Sequence, residues 1–199
     1  MLFRSVASGP AKIAIDGDFR DWASVLPEYR DDIGDAAHRD HPGWNNVEHY
    51  VNNSGRNDFV AAKVARDARN VYFYVRTKDP ITPATGTNWM WLLLNVNAAE
   101  GTNWHGYNFI VNRTAAGVLE KNTGGWTWRH AGSVSYKLKG CEMELAIRRS
   151  DLGLGDASKP LRLEFKWADN MQHPGQIEDF AINGDAAPNG RFNYIYSAP

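Results

Sequence analysis

Apolar and polar positions alternate with period two along residues 90–96, the mark of a strand with two unlike faces. Met90, Leu92, Leu94 and Val96 share one face; Trp89, Trp91, Leu93, Asn95 and Asn97 share the other. Residues 106–112 repeat the scheme, with Tyr107, Phe109 and Val111 opposing Asn108, Ile110 and Asn112. The same parity returns three more times. Val71, Phe73 and Val75 oppose Tyr72, Tyr74 and Arg76; Met143, Leu145 and Ile147 oppose Glu142, Glu144 and Ala146; Leu161, Leu163, Phe165 and Trp167 oppose Arg162, Glu164 and Lys166. The pattern predicts strands over 12–15, 58–66, 70–78, 88–96, 106–112, 118–122, 127–136, 141–148, 161–168, 176–182 and 191–196, separated by turn residues such as Gly124-Gly125 and Lys139-Gly140. Short helical turns are expected only after Asp18, which can cap a turn carrying Trp22 inward, and at 149–153. Many short strands without a βαβ rhythm predict an all-β fold, an antiparallel β-sandwich of jelly-roll type.

Between residues 23 and 57 the periodicity disappears. A long N-terminal loop of this kind in a compact domain is expected to be functional or braced by a metal. The remaining length, 12–199, fits one domain, with residues 1–11 expected to be a linker. A net charge of −1 argues against a nucleic-acid partner or an anionic membrane surface, both of which call for a basic footprint. No apolar run approaches the ~18 residues of a membrane span. The single cysteine, Cys141, allows no intrachain disulfide. Eight Trp and eight Tyr demand a use, since both favour recognition surfaces.

A sheet face that mixes indoles with amides is poor core material, because each buried amide needs hydrogen-bond partners. It suits a sugar, whose C–H faces pack on aromatic rings while amides and charges take the hydroxyls. Trp89 and Trp91 are therefore candidate sugar-binding residues, with a wide sandwich core as the competing use. Trp126 and Trp128 follow a Gly-Gly turn on one strand face, as an exposed platform or as the aromatic closure of a hairpin. Trp44 sits in the polar stretch HPGWNN, where it contacts ligand or pins the loop. Asp31, Asp32 and Asp35 around Gly34, then Asp40, supply hard oxygen ligands for a structural Ca²⁺, expected at Asp32, Asp35 and Asp40. Arg30 and Arg39 could instead neutralise them as salt bridges. The six His show no zinc-ligand spacing, and there is no nucleophile elbow, phosphate loop or dinucleotide fingerprint.

Several blocks, in order, resemble the family 9 carbohydrate-binding modules and the wider DOMON-like sandwiches: KIAIDGDFRDW, VAAKVARDARNVYFYVRTKDP, WMWLLLNVN, NFIVNR, EMELAIRRSDLGL and LEFKWADN. The likeness spans roughly residues 12–170, and the tail resembles the ending of modules appended to bacterial polysaccharide-degrading enzymes. Asn95 and Asn97 depart from the Asp that usually ends the third block. The resemblance implies a non-catalytic sugar-binding role, frequent structural calcium, and a site on one concave sheet where two Trp hold the sugar. Carried across, the first Trp falls on Trp89 or Trp91, a family Asn on Asn112 and a family Gln on Lys166. A family Arg falls on Ile110, a departure. Trp126, Trp128 and Trp44 compete for the second Trp.

The function expected is thus a polysaccharide- or oligosaccharide-binding module, a monomer in a secreted chain tethered to a catalytic domain. Two other readings compete. A small glycoside hydrolase would use paired carboxylates such as Glu142 with Glu144, or Glu164 with Asp169, since i, i+2 neighbours on a strand stand ~7 Å apart. A haem-binding DOMON-type domain would draw ligands from Met90, Met143, Met171 and a His.

Overall fold

Strands with one apolar face must bury it, and two such sheets do so against each other. The computed structural model describes residues 7–35, 39–43, 49–52, 55–96 and 102–199. It is all-β, with fourteen strands among the described residues: β1 (Glu28–Arg30), β2 (Arg39–Pro42), β3 (His49–Asn52), β4 (Phe59–Arg66), β5 (Asn70–Thr77), β6 (Trp91–Asn95), β7 (Phe109–Val111), β8 (Val118–Gly124), β9 (Thr127–Ser133), β10 (Ser135–Lys139), β11 (Glu142–Arg148), β12 (Leu161–Asp169), β13 (Asp185–Ala187) and β14 (Tyr194–Ala198). The smaller sheet runs β1-β4-β5-β11-β10 and the larger β13-β12-β6-β7-β8-β9, all pairs antiparallel. β14 shares an edge of β12 with β13, pairing with 161–165 while β13 pairs with 167–169. β2 and β3 form a separate hairpin. No helix among the described residues is long and apolar enough to cross a membrane.

The predicted parity sets the central core. Val71, Phe73, Val75, Met143, Leu145 and Ile147 from the smaller sheet meet Leu92, Leu94, Phe109, Val111, Leu163, Phe165 and Trp167 from the larger. Five local expectations are corrected. Residues 12–15 form no strand, and 127–136 divides at Val134 into β9 and β10, which belong to different sheets. Residues 176–182 hold the one-turn helix α1 (Asp179–Ile182); its Phe180 and Ile182 are buried, as is the preceding Ile177. The loop 23–57 contains β1, β2 and β3. Residues 7–11, expected as linker, pack on the sandwich: Ala7 joins the core, and Ala11 donates its backbone N–H to the Arg66 carbonyl at 2.8 Å.

Both sheets also carry a second apolar layer on their outer faces. On the smaller sheet, Ile13, Trp22 and Val25 cover Ala65, Tyr72 and Tyr74. Its anchor is Glu144, fully buried, whose Oε1 accepts from the N–H groups of Asp16 (3.0 Å) and Gly17 (2.8 Å) and whose Oε2 accepts from Trp22 Nε1 (2.9 Å). Gly17 takes φ +84°, which an L side chain rarely adopts, so the Asp-Gly turn can present two N–H groups to one oxygen. Asp18 caps the following 3-10 turn (Phe19–Trp22) as expected. Glu144→Gln leaves at least one of these three donors facing an amide N–H₂. It is expected to cost about 2 kcal/mol in urea unfolding, the penalty of a stranded buried donor. An unchanged midpoint would show that the N-terminal layer is not held by this carboxylate.

Candidate binding cleft and cation site

The strand neighbours expected for a sugar trough are present. Leu92 pairs with Val111 and Ala168 pairs with Trp91, so Trp91 on β6 and Lys166 on β12 turn outward on adjacent strands, and Asn112 follows the last residue of β7. That face is covered rather than open. Trp104 and Tyr107, Ile177, Phe180 and Met171, and Trp128 from β9 close over Trp91, leaving it 1% exposed. Trp126 is half-buried, its ring 4.4 Å from Trp104 and 5.6 Å from Trp91. Gly175, at φ +96°, lies so close that a Cβ there would come within 2.9 Å of the Trp126 ring. Trp126 and Trp128 therefore close a hairpin over an aromatic layer.

The remaining sugar candidates of that face are also engaged. Trp89 departs from parity: Asn88 and Met90 take φ +53° and +45°, breaking the alternation before β6, so Trp89 packs into the central core with its Nε1 donating to the Thr82 carbonyl at 2.8 Å. Asn112, at φ +68°, donates from Nδ2 to the Met90 carbonyl and accepts from Gly117 N–H, each at 2.8 Å. It ties two turns together. Lys166 is fully buried, its Nζ donating to the Pro188 carbonyl and lying 5.3 Å from the Phe180 ring centroid. Asn95 and Asn193 both donate to Glu164 Oε2, at 3.2 and 3.3 Å. Trp44 lies outside the described residues.

Behind Lys166 is a group of carboxylates. One oxygen from each of Asp31, Asp35 and Asp185 lies within 4.8 Å of the others. Oxygens bound to a common Ca²⁺ at ~2.4 Å can be at most about 4.8 Å apart, so the spacing fits. Asp31 Oδ2 and Asp35 Oδ1 are buried and accept no hydrogen bond from the described residues. Asp58 supports the loop from beneath, accepting the Gly34 N–H with both oxygens (3.1 and 2.9 Å), and Lys78 Nζ stands 3.8 Å from it. Burial pushes Asp31 up to about 7, with Asp35 beside it raising it further. Burial likewise raises Asp185 to about 8, against a hydrogen bond from Phe59 N–H, and raises Asp35 against its contacts with Asn189 and Arg39. Burial also lowers Lys166 to about 7, opposed by Asp31 and Asp185. Like charges crowded in a desolvated pocket resist ionisation, and a divalent cation would remove that cost. Of the expected ligands only Asp35 belongs here. Asp32 is exposed, and Asp40 pairs with His49 Nε2 at 2.5 Å on the β2–β3 hairpin.

Directly against this group opens a cleft of about 420 Å³, lined by Asp35, Arg39, His41, Tyr50, Phe180, Ala181, Asn189 and Gly190. The β2–β3 hairpin supplies its outer wall. His41 and Tyr50 are cross-strand partners, with ring centroids 5.4 Å apart at 66°. Asn52 Nδ2 fastens the hairpin to the Gly184 carbonyl at 2.7 Å. Arg39 bridges loop and helix, its Nε donating to the Asp35 carbonyl (2.7 Å), its Nη1 to the Ala181 carbonyl (3.4 Å), and its Nη2 standing 3.6 Å from Asp35 Oδ2. Phe180 is shared: one cluster with Trp104 and Tyr107, contact with Lys166, and a place in the cleft wall. Aromatic rings, a guanidinium, an amide and a carboxylate thus converge on one concave surface. This is the chemistry sought on the Trp91 face, displaced to its edge. Asp31 was legible as part of the acidic loop, though the ion was expected at Asp32, Asp35 and Asp40; nothing in the sequence marked Asp185, Tyr50 or Asn189.

Neither a family model, nor a curated protein, nor a solved structure matches this chain. The class that fold and site define is an antiparallel β-sandwich with a polar-aromatic cleft beside a carboxylate group.

Proposed function

We propose that this domain is a non-catalytic carbohydrate-binding module, akin to the family 9 modules, which holds an oligosaccharide or polysaccharide in the cleft beneath the β2–β3 hairpin. In this reading it is a monomeric, secreted unit that brings a tethered catalytic domain to its substrate. The observation that carries the reading is the cleft itself: the half-buried Tyr50 ring and exposed His41 stand beside Arg39, Asn189 and Asp35. A sugar ring has C–H faces for the aromatics and hydroxyls that both donate to Asp35 and accept from Arg39 and Asn189. Ca²⁺ at Asp31, Asp35 and Asp185 would fix the loop that carries Asp35, coupling metal to ligand through one carboxylate.

The carboxylate pairs of the hydrolase alternative have structural duties. Glu144 is saturated by three donors, Glu142 accepts from Tyr74 OH, and Asp169 is buried against Arg56 at 2.6 Å. Met90, Met143 and Met171, the haem candidates, are buried in apolar clusters.

Isothermal titration against a panel of neutral oligosaccharides tests the reading. At least one is expected to bind, and Tyr50→Ala is expected to weaken it by ~1–3 kcal/mol, the scale of losing an aromatic stacking surface, here borrowed from base stacking. Binding that ignores Tyr50→Ala would move the site elsewhere. No heat from any sugar, or reducing-sugar release by the isolated chain, would overturn the function.

A further inference from the structure

At the opposite end of the smaller sheet, where Asn70 begins β5 and pairs with Arg148 at the end of β11, lies a second cleft of about 460 Å³. Its lining is Ala68, Arg69, Asn70, Arg148, Arg149, Ser150 and Gly155, with three arginines and no carboxylate. The exposed side chains of Arg69 and Arg148 make no hydrogen bond or ion pair among the described residues. Arg149 is 4% exposed and, among the described residues, gives its guanidinium to neutral carbonyls, those of Leu154 (2.8 Å), Asp156 (3.1 Å) and Asp67 (3.4 Å). The nearby Asp67 carboxylate is committed to its own turn, accepting from the N–H groups of Arg69 and Asn70 (2.7 Å each) and from Tyr72 OH (2.6 Å). Three guanidiniums therefore share a concavity that no carboxylate lines, and the Asp67 carboxylate at its edge interacts, of these three arginines, only with Arg69. Arg149 is a buried positive floor, and Arg69 and Arg148 are exposed forks beside it.

We propose that this cleft is a second binding subsite, which takes an oxyanion group, a carboxylate or sulfate, carried on an acidic polysaccharide. The identity of the ligand rests on the carbohydrate-binding reading; the site itself does not involve the Tyr50 cleft. Guanidinium forks match planar carboxylate and sulfate oxygens two at a time, which gives both orientation and strength. The backbone bond from Arg149 N–H to the Arg69 carbonyl, at 2.8 Å, keeps the two loops at a fixed separation. The floor is therefore set before ligand arrives.

The experiment titrates the full chain with three probes: a tetragalacturonate, a heparin-derived tetrasaccharide and inorganic sulfate. At least one of the two acidic oligosaccharides is expected to bind, more weakly as salt shortens the Debye length from about 10 Å at 0.1 M toward 3 Å at 1 M. Arg69→Ala and Arg148→Ala, both surface changes, are each expected to weaken it roughly tenfold, the scale of one charge-assisted hydrogen bond. Tyr50→Ala is expected to leave it unchanged. Three results would overturn the proposal: neither oligosaccharide binds, binding survives the double arginine variant, or inorganic sulfate binds as tightly as the oligosaccharides. If neutral sugars fail while an arginine-dependent acidic one binds, the Tyr50 cleft falls and this subsite stands.

Discussion

Trp91→Ala is expected to lower stability by ~3–5 kcal/mol, as a truncated buried indole does, and to leave saccharide binding in the Tyr50 cleft intact. Trp91 is 1% exposed and touches the aromatic layer that seals the outer face of the larger sheet. Its removal opens a void between β6 and the covering segments, which are tied down by their own turns and cannot simply collapse inward. One feature tempers the loss: Trp91 Nε1 has no hydrogen-bond partner among the described residues, and a stranded buried donor costs ~1–3 kcal/mol that the Ala variant no longer bears. The lower half of the range follows. For a chain of this length that is a fall of about 10 °C in melting temperature, read by calorimetry, with binding read separately on the folded variant. The opposite pattern, an unmoved melting temperature with lost binding, would restore Trp91 as a sugar platform.

That contrast shows what parity can and cannot tell. Alternation correctly assigned Leu92, Leu94, Phe73, Leu145 and Phe165 to the central core, because period two fixes which side of a strand a residue occupies. It also placed Trp91 and Lys166 on outward positions of neighbouring strands, whereas Asn112 lies past the end of β7 at φ +68°. What lies above an outward position is tertiary information. The cover over Trp91 comes from Trp104, Trp128 and the 171–182 segment, whose Ile177 and Phe180 read equally well as a strand. Trp89 escaped parity through the left-handed φ of Met90, which no side-chain pattern announces.

The cleft was hidden for a different reason. Its hairpin is short and polar, and Arg39, Asp40 and His41 carry no apolar alternation by which a strand could be recognised. The hairpin is held from outside, by the Asn52 contact to Gly184 and the Arg39 bridge to Ala181. Asp35 was legible as a ligand because it sits beside a Gly turn in an acidic loop. Its partner Asp185 was not, because it reads as part of an Asp-Ala-Ala-Pro turn and meets Asp35 only when β13 docks on β12.

Calcium is expected to raise the melting temperature, and to raise it more at pH 8 than at pH 5. In the chelated protein Asp31 and Asp185 titrate near 7 and 8, well above the ordinary carboxylate value of 3.8, because burial disfavours their charge. A carboxyl whose folded pKa is raised contributes stability that is fully present below the unfolded pKa and lost as pH climbs through the folded one. The chelated protein should therefore lose stability between about pH 4 and pH 8. Lys166, lowered to about 7, acts with the opposite sign, regaining stability only above that point, so the carboxylates govern the acid side. Ca²⁺ needs the carboxylates deprotonated, and its affinity rises over the same window. At a hundred times its dissociation constant it stabilises by ~2.7 kcal/mol, several degrees of melting temperature, offsetting the loss that the chelated protein shows. Asp185→Asn should abolish the calcium shift, while Asp40→Asn, on the exposed hairpin, should keep it. Equal shifts at both pH values, or a shift that survives Asp185→Asn, would place the ion elsewhere.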